Sequence, residues 1–408
     1  MTKHQNTPRL KSIQPKWMAI VLLFSFSFTQ LPAVASNIMA ATIPIKMVGE
    51  HIFIKLKVGN SPELNFIFDT GAGGTVINLR TALNLKLRPS GFTPVKSAHS
   101  QDVTPYFADN ELKLAHLGVS DVRLLGSSLD HLEARSGIPI DGIVGFAILQ
   151  KYIVRINHDN ATLELYNKEN YTFPSNARAY DVSWWFPVPS IKATLTLDNG
   201  EKITGSFLID TGASTSLILN SPFVNRNRLL KKFRKKLKHS SQGLTSKKIT
   251  DFKARLKQIK IGDFSFSSVP VNLSQAKRGL LASDKIDGIL GNGLLKRFNL
   301  ILDYSSQKLV LQPNKNYYKV FKVNSSGIRI KLTLKKKFKI MEIYKGSPAY
   351  KLGLKVEDEL LAINGIPTKD LSMHAIIRMF REHGSIVYVT IRRKGRIRNF
   401  AMRLKSLI

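Results

Sequence analysis

The residues best suited to chemistry are two aspartates, Asp69 and Asp210, each ending an apolar run and each followed by Thr-Gly-Ala. Two carboxyl groups brought together cannot both ionise cheaply, so they share one proton and one macroscopic pKa is raised. The ionised member can then act as general base for a bridging water. The protonated member polarises a carbonyl and later assists the leaving amine. That chemistry requires no metal, no cofactor and no covalent intermediate, and none is expected. Cysteine is absent, which excludes a thiol nucleophile, a Cys-ligated metal and a disulfide scaffold. None of the nine histidines falls in a metal-ligand spacing.

The two aspartates lie in an internal repeat. Phe66-Ile-Phe-Asp-Thr-Gly-Ala-Gly-Gly-Thr-Val-Ile77 matches Phe207-Leu-Ile-Asp-Thr-Gly-Ala-Ser-Thr-Ser-Leu-Ile218, and Ile140-Asp-Gly-Ile-Val-Gly145 matches Ile286-Asp-Gly-Ile-Leu-Gly291. The offset is 141 residues at the first match and 146 at the second, so the second copy carries a net insertion, for which the basic run from Arg226 to Lys238 is the candidate. Around these motifs lie short runs of alternating or wholly apolar residues separated by turn residues, the pattern of β-strands. Residues 182–188 read as the opening strand of the second copy, with Trp184 and Trp185 in packing roles.

An apolar strand ending in Asp-Thr-Gly-Ala, occurring twice and each time followed by an apolar-apolar-Gly segment, resembles the retropepsin-like aspartic peptidases. The resemblance spans residues 43–312. It implies an all-β fold of two duplicated retropepsin-like β-barrel lobes forming one pepsin-like unit, with Asp69 and Asp210 as the catalytic pair. Thr70 and Thr211 are then expected to bond across the lobe interface. Gly71 and Gly212 permit the tight turn and the approach of backbone N–H groups to the carboxylates, and Gly145 and Gly291 support the crossing beneath. Asp141 and Asp287, each just before a glycine, read as turn-capping carboxylates. The polar stretches 94–106 and 240–248 are the expected flaps, with Tyr106 favoured as packing rather than as a flap aromatic.

A second resemblance lies towards the C-terminus. Gly346-Ser-Pro-Ala-Tyr-Lys-Leu-Gly-Leu-Lys-Val-Glu-Asp-Glu-Leu-Leu-Ala-Ile-Asn-Gly365 is similar to PDZ domains of the kind attached to bacterial envelope proteases, although Glu357 stands where these usually have Gly. The resemblance implies a module that adds a peptide C-terminus to a sheet edge, with Gly327, Ile328, Arg329 and Ile330 as loop and edge strand.

The 62 Lys and Arg outnumber the 28 Asp and Glu to give a net charge of +34. The excess is not uniform: residues 37–170 hold 13 of each sign, residues 171–318 hold 24 basic against 9 acidic, and the remainder to 408 holds 21 against 6. An anionic partner is therefore expected for the C-terminal two thirds, such as a membrane surface or an acidic protein. The stretch Asn225 to His239 reads as an amphipathic helix with Leu229, Leu230, Phe233 and Leu237 on its docked face. At the N-terminus a basic region ending at Lys16, an apolar run from Trp17 to Leu31 and the small residues Ala33 and Ala35 read as a signal peptide cleaved after Ala35, with an uncleaved anchor as the alternative.

The domains expected are thus a signal peptide at 1–35, lobes at 36–170 and 171–316, and a PDZ domain at 317–408. The functional reading is an exported endopeptidase of a bacterial periplasm or envelope, monomeric in its catalytic unit, acting on protein or peptide and recruiting or sensing peptide C-termini. The rival is a non-catalytic peptide-binding envelope adaptor, disfavoured because both aspartates are intact. Nucleic-acid binding has the charge in its favour but no recognised module.

Overall fold

The computed structural model describes residues 1–2, 38–98, 101–169, 171–175, 177–185, 187–242 and 248–408. The expected signal peptide lies outside the described residues, among which no helix is long and apolar enough to cross a membrane.

The repeat seen in the sequence is a repeat of structure. In the first copy eight strands form one sheet in the order Lys46–Val48, His51–Val58, Leu64–Phe68, Gly142–Val144, Thr75–Asn78, Leu117–Ser127, Gln101–Leu114, Gly91–Lys96, and a further pairing of His51–Val58 with Gln101–Leu114 curls it into a barrel. The second copy repeats that order strand for strand, closing through Val188–Thr196 and Lys248–Ile261. Period-2 patterning builds these walls: in His51–Val58 the side chains of Ile52, Ile54, Leu56 and Val58 are buried while Lys55 and Lys57 are exposed. The strand leading to each aspartate lies parallel to the strand of the downstream glycine motif, Leu64–Phe68 beside Gly142–Val144 and Lys202–Asp210 beside Gly288–Gly291.

A third sheet joins the copies. Its six strands run Met39–Pro44, Thr162–Tyr166, Ile153–Asn157, Phe298–Asp303, Lys308–Pro313, Ala179–Asp181, so the central pairing crosses from one lobe to the other. Apolar residues of both lobes merge into one continuous core. Against it packs an aromatic group of Phe264, Phe266, Phe298, Tyr317 and Phe321, with the Arg297 guanidinium 3.7 Å from the Phe321 ring centroid. Residues 314–321 thereby belong with the second lobe, and the core of the C-terminal module begins only at Ile328.

Two sequence expectations change in the second lobe. Residues 182–188 are not one strand: Ser183–Trp185 turns back on Val188–Thr196 as a hairpin. The long basic helix is also absent. Ser221–Arg226 is a helix capped by Asn220 with Pro222 in its first turn, Arg228 turns the chain through φ +52°, and Leu229–Lys232 forms one more short turn before Phe233 extends. Burial decides this: Leu229 and Phe233 reach the core, and Leu237 then enters strand Leu237–Gln242 to pair with Lys248–Ile261 instead of continuing the apolar stripe.

The C-terminal module is a sheet in the order Ile328–Leu332, Phe338–Ile343, Glu359–Ile363, Ile386–Arg393, Arg396–Arg403, with helices Pro348–Lys351 and Met373–Met379. Ser347 caps the first helix and Gly353 ends it at φ +75°. Glu357, at the position where Gly is usual, takes φ +70°, and its carboxylate pairs with Lys331 and Lys339 at 2.5 and 3.0 Å.

Phe298 is fully buried at the meeting of the shared sheet and the aromatic group. Phe298→Ala is expected to destabilise the protein by about 3–5 kcal/mol, read by denaturant unfolding.

Candidate active site

Each aspartate emerges where a buried strand ends in a turn. Phe68 and Ile209, immediately before them, are completely buried and pin both strand ends in the core. Thr70 and Thr211 then cross between the lobes. The Thr70 hydroxyl donates to the Ile209 carbonyl at 2.8 Å and accepts from the Thr211 N–H at 3.0 Å; the Thr211 hydroxyl donates to the Phe68 carbonyl at 3.2 Å and accepts from the Thr70 N–H at 3.1 Å. Both side chains are buried, so these four bonds replace water for six polar groups and fix the two turns against each other.

The carboxyl groups meet above this clasp and hydrogen-bond to one another, each keeping part of its surface open. The glycines make this approach possible: a Cβ on Gly71 would lie 2.5 Å from the Asp210 carboxyl carbon, and one on Gly212 would collide with the Asp69 carboxyl. Their freed N–H groups serve as donors. Asp69 Oδ1 accepts from the N–H of Gly71 at 2.7 Å and of Gly212 at 3.2 Å, and Asp210 Oδ1 accepts from Ala213 at 2.7 Å. Gly145 and Gly291 lie beneath, where a side chain would run into the carbonyl of Asp69 in one lobe and those of Thr215 and Ala213 in the other.

Burial pushes both carboxyls up, and Asp210 further, because the Asp69 charge and the hydrogen bond between them add to its desolvation. At Asp69 the bonds from backbone N–H groups and from Asp210 oppose that rise. Of the two, Asp210 is the carboxyl whose protonated form its surroundings favour more strongly.

Asp141 and Asp287 sit apart from this pair as matching turn supports. Asp141 accepts from the Asn65 N–H and the Thr81 hydroxyl, both at 2.8 Å, and Asp287 accepts from the Ser206 N–H at 2.8 Å and pairs with Arg226. Tyr106 lies at the base of its hairpin opposite Gly91, with Arg123 stacked 4.3 Å from its ring centroid, so it packs there. The first flap stretch is a hairpin of Gly91–Lys96 and Gln101–Leu114 that reaches the other lobe: the carbonyls of Ser97 and Ala98 accept from the N–H groups of Leu280 and Leu281 at 2.9 and 3.0 Å. The second is the hairpin Leu237–Gln242 and Lys248–Ile261, with Ile249 grouped with Ala98 and Ala213 of the site. Residues 99–100 and 243–247 of the two expected flaps lie outside the described residues.

Sequence reasoning did not find three supporting groups. His51 bonds the backbone of Gly212; burial first, and then Arg135, lower its pKa. Asn292, just after the second glycine motif, donates to the Glu50 carbonyl at 2.7 Å. Burial alone would raise Glu50, but Lys296 and Arg381 outweigh it and hold its carboxyl below the ordinary range. They are brought to the site by the lobe interface, and no spacing marks them.

Residues 54–148 and 192–294 match the family model of aspartyl proteases, and residues 339–393 match that of PDZ domains. These segments belong to those families. The chain thus carries two segments of aspartyl protease type followed by a segment of PDZ type. Among solved structures it is similar to the aspartic proteinase from Irpex lacteus, at 11% identity over 69% of this chain and 99% of that one, with a TM-score of 0.46. No curated protein matches it in sequence.

In the PDZ domain, Gly327 takes φ +82° and Ile328–Leu332 is the edge strand of its sheet, with Ile328 and Ile330 buried. The loop N–H groups already have partners. Asn324 Oδ1 accepts from the N–H groups of Ser326 and Gly327 at 3.1 and 2.9 Å, and Ser326 Oγ from that of Ile328 at 3.0 Å. Arg329 is engaged by the second protease lobe, donating to the Ser240 carbonyl at 2.7 Å.

Thr70→Val removes two cross-lobe bonds and leaves the buried Thr211 N–H without its acceptor. A loss of about 1–3 kcal/mol in unfolding free energy is expected, together with a fall in kcat on a peptide substrate.

Proposed function

We propose that the protein is an exported aspartic endopeptidase in which Asp69 and Asp210 activate water against a peptide bond. The observation that supports this reading is the pair of opposed carboxyls, hydrogen-bonded to one another and each accepting from backbone N–H groups. A water held between them gives a proton to Asp69 as its oxygen attacks the scissile carbonyl. The proton on Asp210 moves to the carbonyl oxygen, so the tetrahedral intermediate is a neutral diol. Asp69 then delivers its proton to the amide nitrogen, the C–N bond breaks, and a diol hydroxyl returns its proton to Asp210. Thr70, Gly71, Thr211 and Gly212 position the pair and Gly145 and Gly291 support their turns, while the hairpin bearing Ser97 and Ala98 excludes water from the reaction.

The PDZ domain is proposed to recruit or sense peptide C-termini through residues 327–330. Export to a bacterial periplasm or envelope rests on the basic, apolar and small-residue pattern of residues 1–35. An anionic envelope surface is the proposed partner of the basic C-terminal two thirds, with the catalytic unit working as a monomer. A non-catalytic adaptor has no use for the shared proton that the two carboxyls are arranged to hold.

Asp69→Asn and Asp210→Asn are each expected to abolish cleavage of a peptide library while leaving the circular dichroism spectrum unchanged; wild-type cleavage by both variants would refute the mechanism. Because Asp210 is raised by burial and by Asp69, its protonated form is the one the fold favours, and this contribution is lost as pH rises through its folded pKa. Wild-type activity should fall along the same alkaline limb, and Asp210→Asn should narrow the stability difference between acid and alkaline solution. Sedimentation with vesicles of anionic lipid is expected to be strong at low salt and abolished at high salt; salt-independent or absent association removes the surface from the proposal.

A further inference from the structure

We infer that one edge of the PDZ domain, the strand Arg396–Arg403 with the side chains on either side of it, is the face that meets an anionic lipid surface. The inference rests on the proposed envelope-surface reading and gives that contact a place on the molecule.

Binding at a lipid interface needs cations for the headgroups and apolar side chains that enter the boundary beneath them. In the protease lobes these two features are separated. The first lobe exposes Leu83, Phe92 and Val103, yet residues 37–170 hold 13 charges of each sign. The second lobe carries a basic surplus, but among the described residues from 104 to 317 no large apolar side chain is exposed.

In the PDZ domain the two features coincide. Residues 386–408 hold seven Lys or Arg and no Asp or Glu. Arg392 and Arg393 are engaged by Glu359 and Asp358, whereas Lys394, Arg396, Arg398 and Arg403 stand exposed with no acidic partner among the described residues. The domain's other carboxylates do not reach them: Glu342, Glu357 and Glu382 are paired with Arg329, Lys331 and Lys322. Strand register sets apolar groups among these cations. Val387, Val389 and Ile391 turn to the core, so Tyr388 and, across the hairpin, Ile397 face outward, 60% and 62% exposed. On the other side of the edge strand lies the helix Pro348–Lys351, with Tyr350 and Lys351 exposed.

Basic residues on an edge strand often serve to prevent pairing with another strand. Tyr388 and Ile397 work against that purpose, because exposed apolar side chains favour association. An interface with another protein gathers its apolar residues into a centre depleted of charge. Here they alternate with Arg and Lys, whose stems lie along an apolar layer while the charged ends reach the headgroups. A second copy of this chain would set like charges against each other. The expected peptide strand, Ile328–Leu332, is the opposite edge of the same sheet, so the lipid contact does not involve it.

The chain has no cysteine, so Ile397→Cys labelled with an environment-sensitive fluorophore reports on that position alone. With vesicles of phosphatidylglycerol and phosphatidylethanolamine at low salt, the full-length protein is expected to show a blue shift and a rise in emission. Neutral phosphatidylcholine vesicles should give none, nor should the same label at Lys57→Cys, exposed in the first lobe. Silence at position 397 with anionic vesicles, an equal response at position 57, or an equal response to duplex DNA or polyglutamate overturns the inference, the last two assigning the face to nucleic acid or to an acidic protein. Tyr388→Cys, labelled in the same way, repeats the test if Ile397→Cys does not fold. Adding Lys394→Gln, Arg396→Gln and Arg398→Gln to the labelled chain should raise the lipid concentration for half-response by about tenfold or more; an unchanged value overturns the role of these cations. If wild type does not sediment with anionic vesicles, the envelope-surface reading itself fails, whereas sedimentation with silent labels leaves that reading standing and removes only this placement.

Discussion

Two carboxyl groups that repel each other when both ionised are held in one small volume, and the rest of the structure serves that constraint. Their strands end in fully buried aromatic and aliphatic residues, so neither carboxyl can retreat by sliding its strand. The reciprocal threonine bonds tie the turns across the lobe interface, and the absence of a Cβ at Gly71 and Gly212 leaves room for the opposing carboxylate. Protonation is then the remaining way to relieve the repulsion, and burial, reinforced at Asp210 by the Asp69 charge and the bond between the carboxyls, raises Asp210 further than Asp69.

The site was legible in the sequence to the extent that it is duplicated. Repetition singled out Asp-Thr-Gly and the downstream glycine segment, and the structure places these motifs on paired parallel strands in both lobes. Short strands with alternating burial were readable for the same reason, because period 2 survives wherever one face meets a core. The basic helix misled because the stripe of Leu229, Leu230, Phe233 and Leu237 has helical spacing, yet Phe233 and Leu237 are consumed by different neighbours, one by the core and the other by a strand pairing. Local periodicity cannot announce a long-range partner.

Contacts between domains were not legible at all. Glu50 and His51 are ordinary residues in a one-dimensional reading, and the contact between Ser240 of the expected flap and Arg329 of the expected edge strand comes only from which surfaces the fold brings together. The charge excess is clarified by the same contacts: Arg226, Lys232 and Lys308 are paired with Asp287, Glu201 and Asp181, while Arg135, Arg329, Lys253 and Arg381 gather where the PDZ domain meets the protease lobes. Part of the positive charge thus faces inward, at the junction of the PDZ domain with the protease lobes.

The central claim is that the two aspartates share one proton at pH values well above the ordinary carboxylate range. Difference infrared spectroscopy of protein with isotope-labelled aspartate carboxyls, comparing wild type with Asp210→Asn, measures this directly. The account predicts a protonated carboxyl band in wild type that persists above the ordinary carboxylate range and is missing from the variant. A wild-type spectrum in which every aspartate ionises in the ordinary carboxylate range would contradict it.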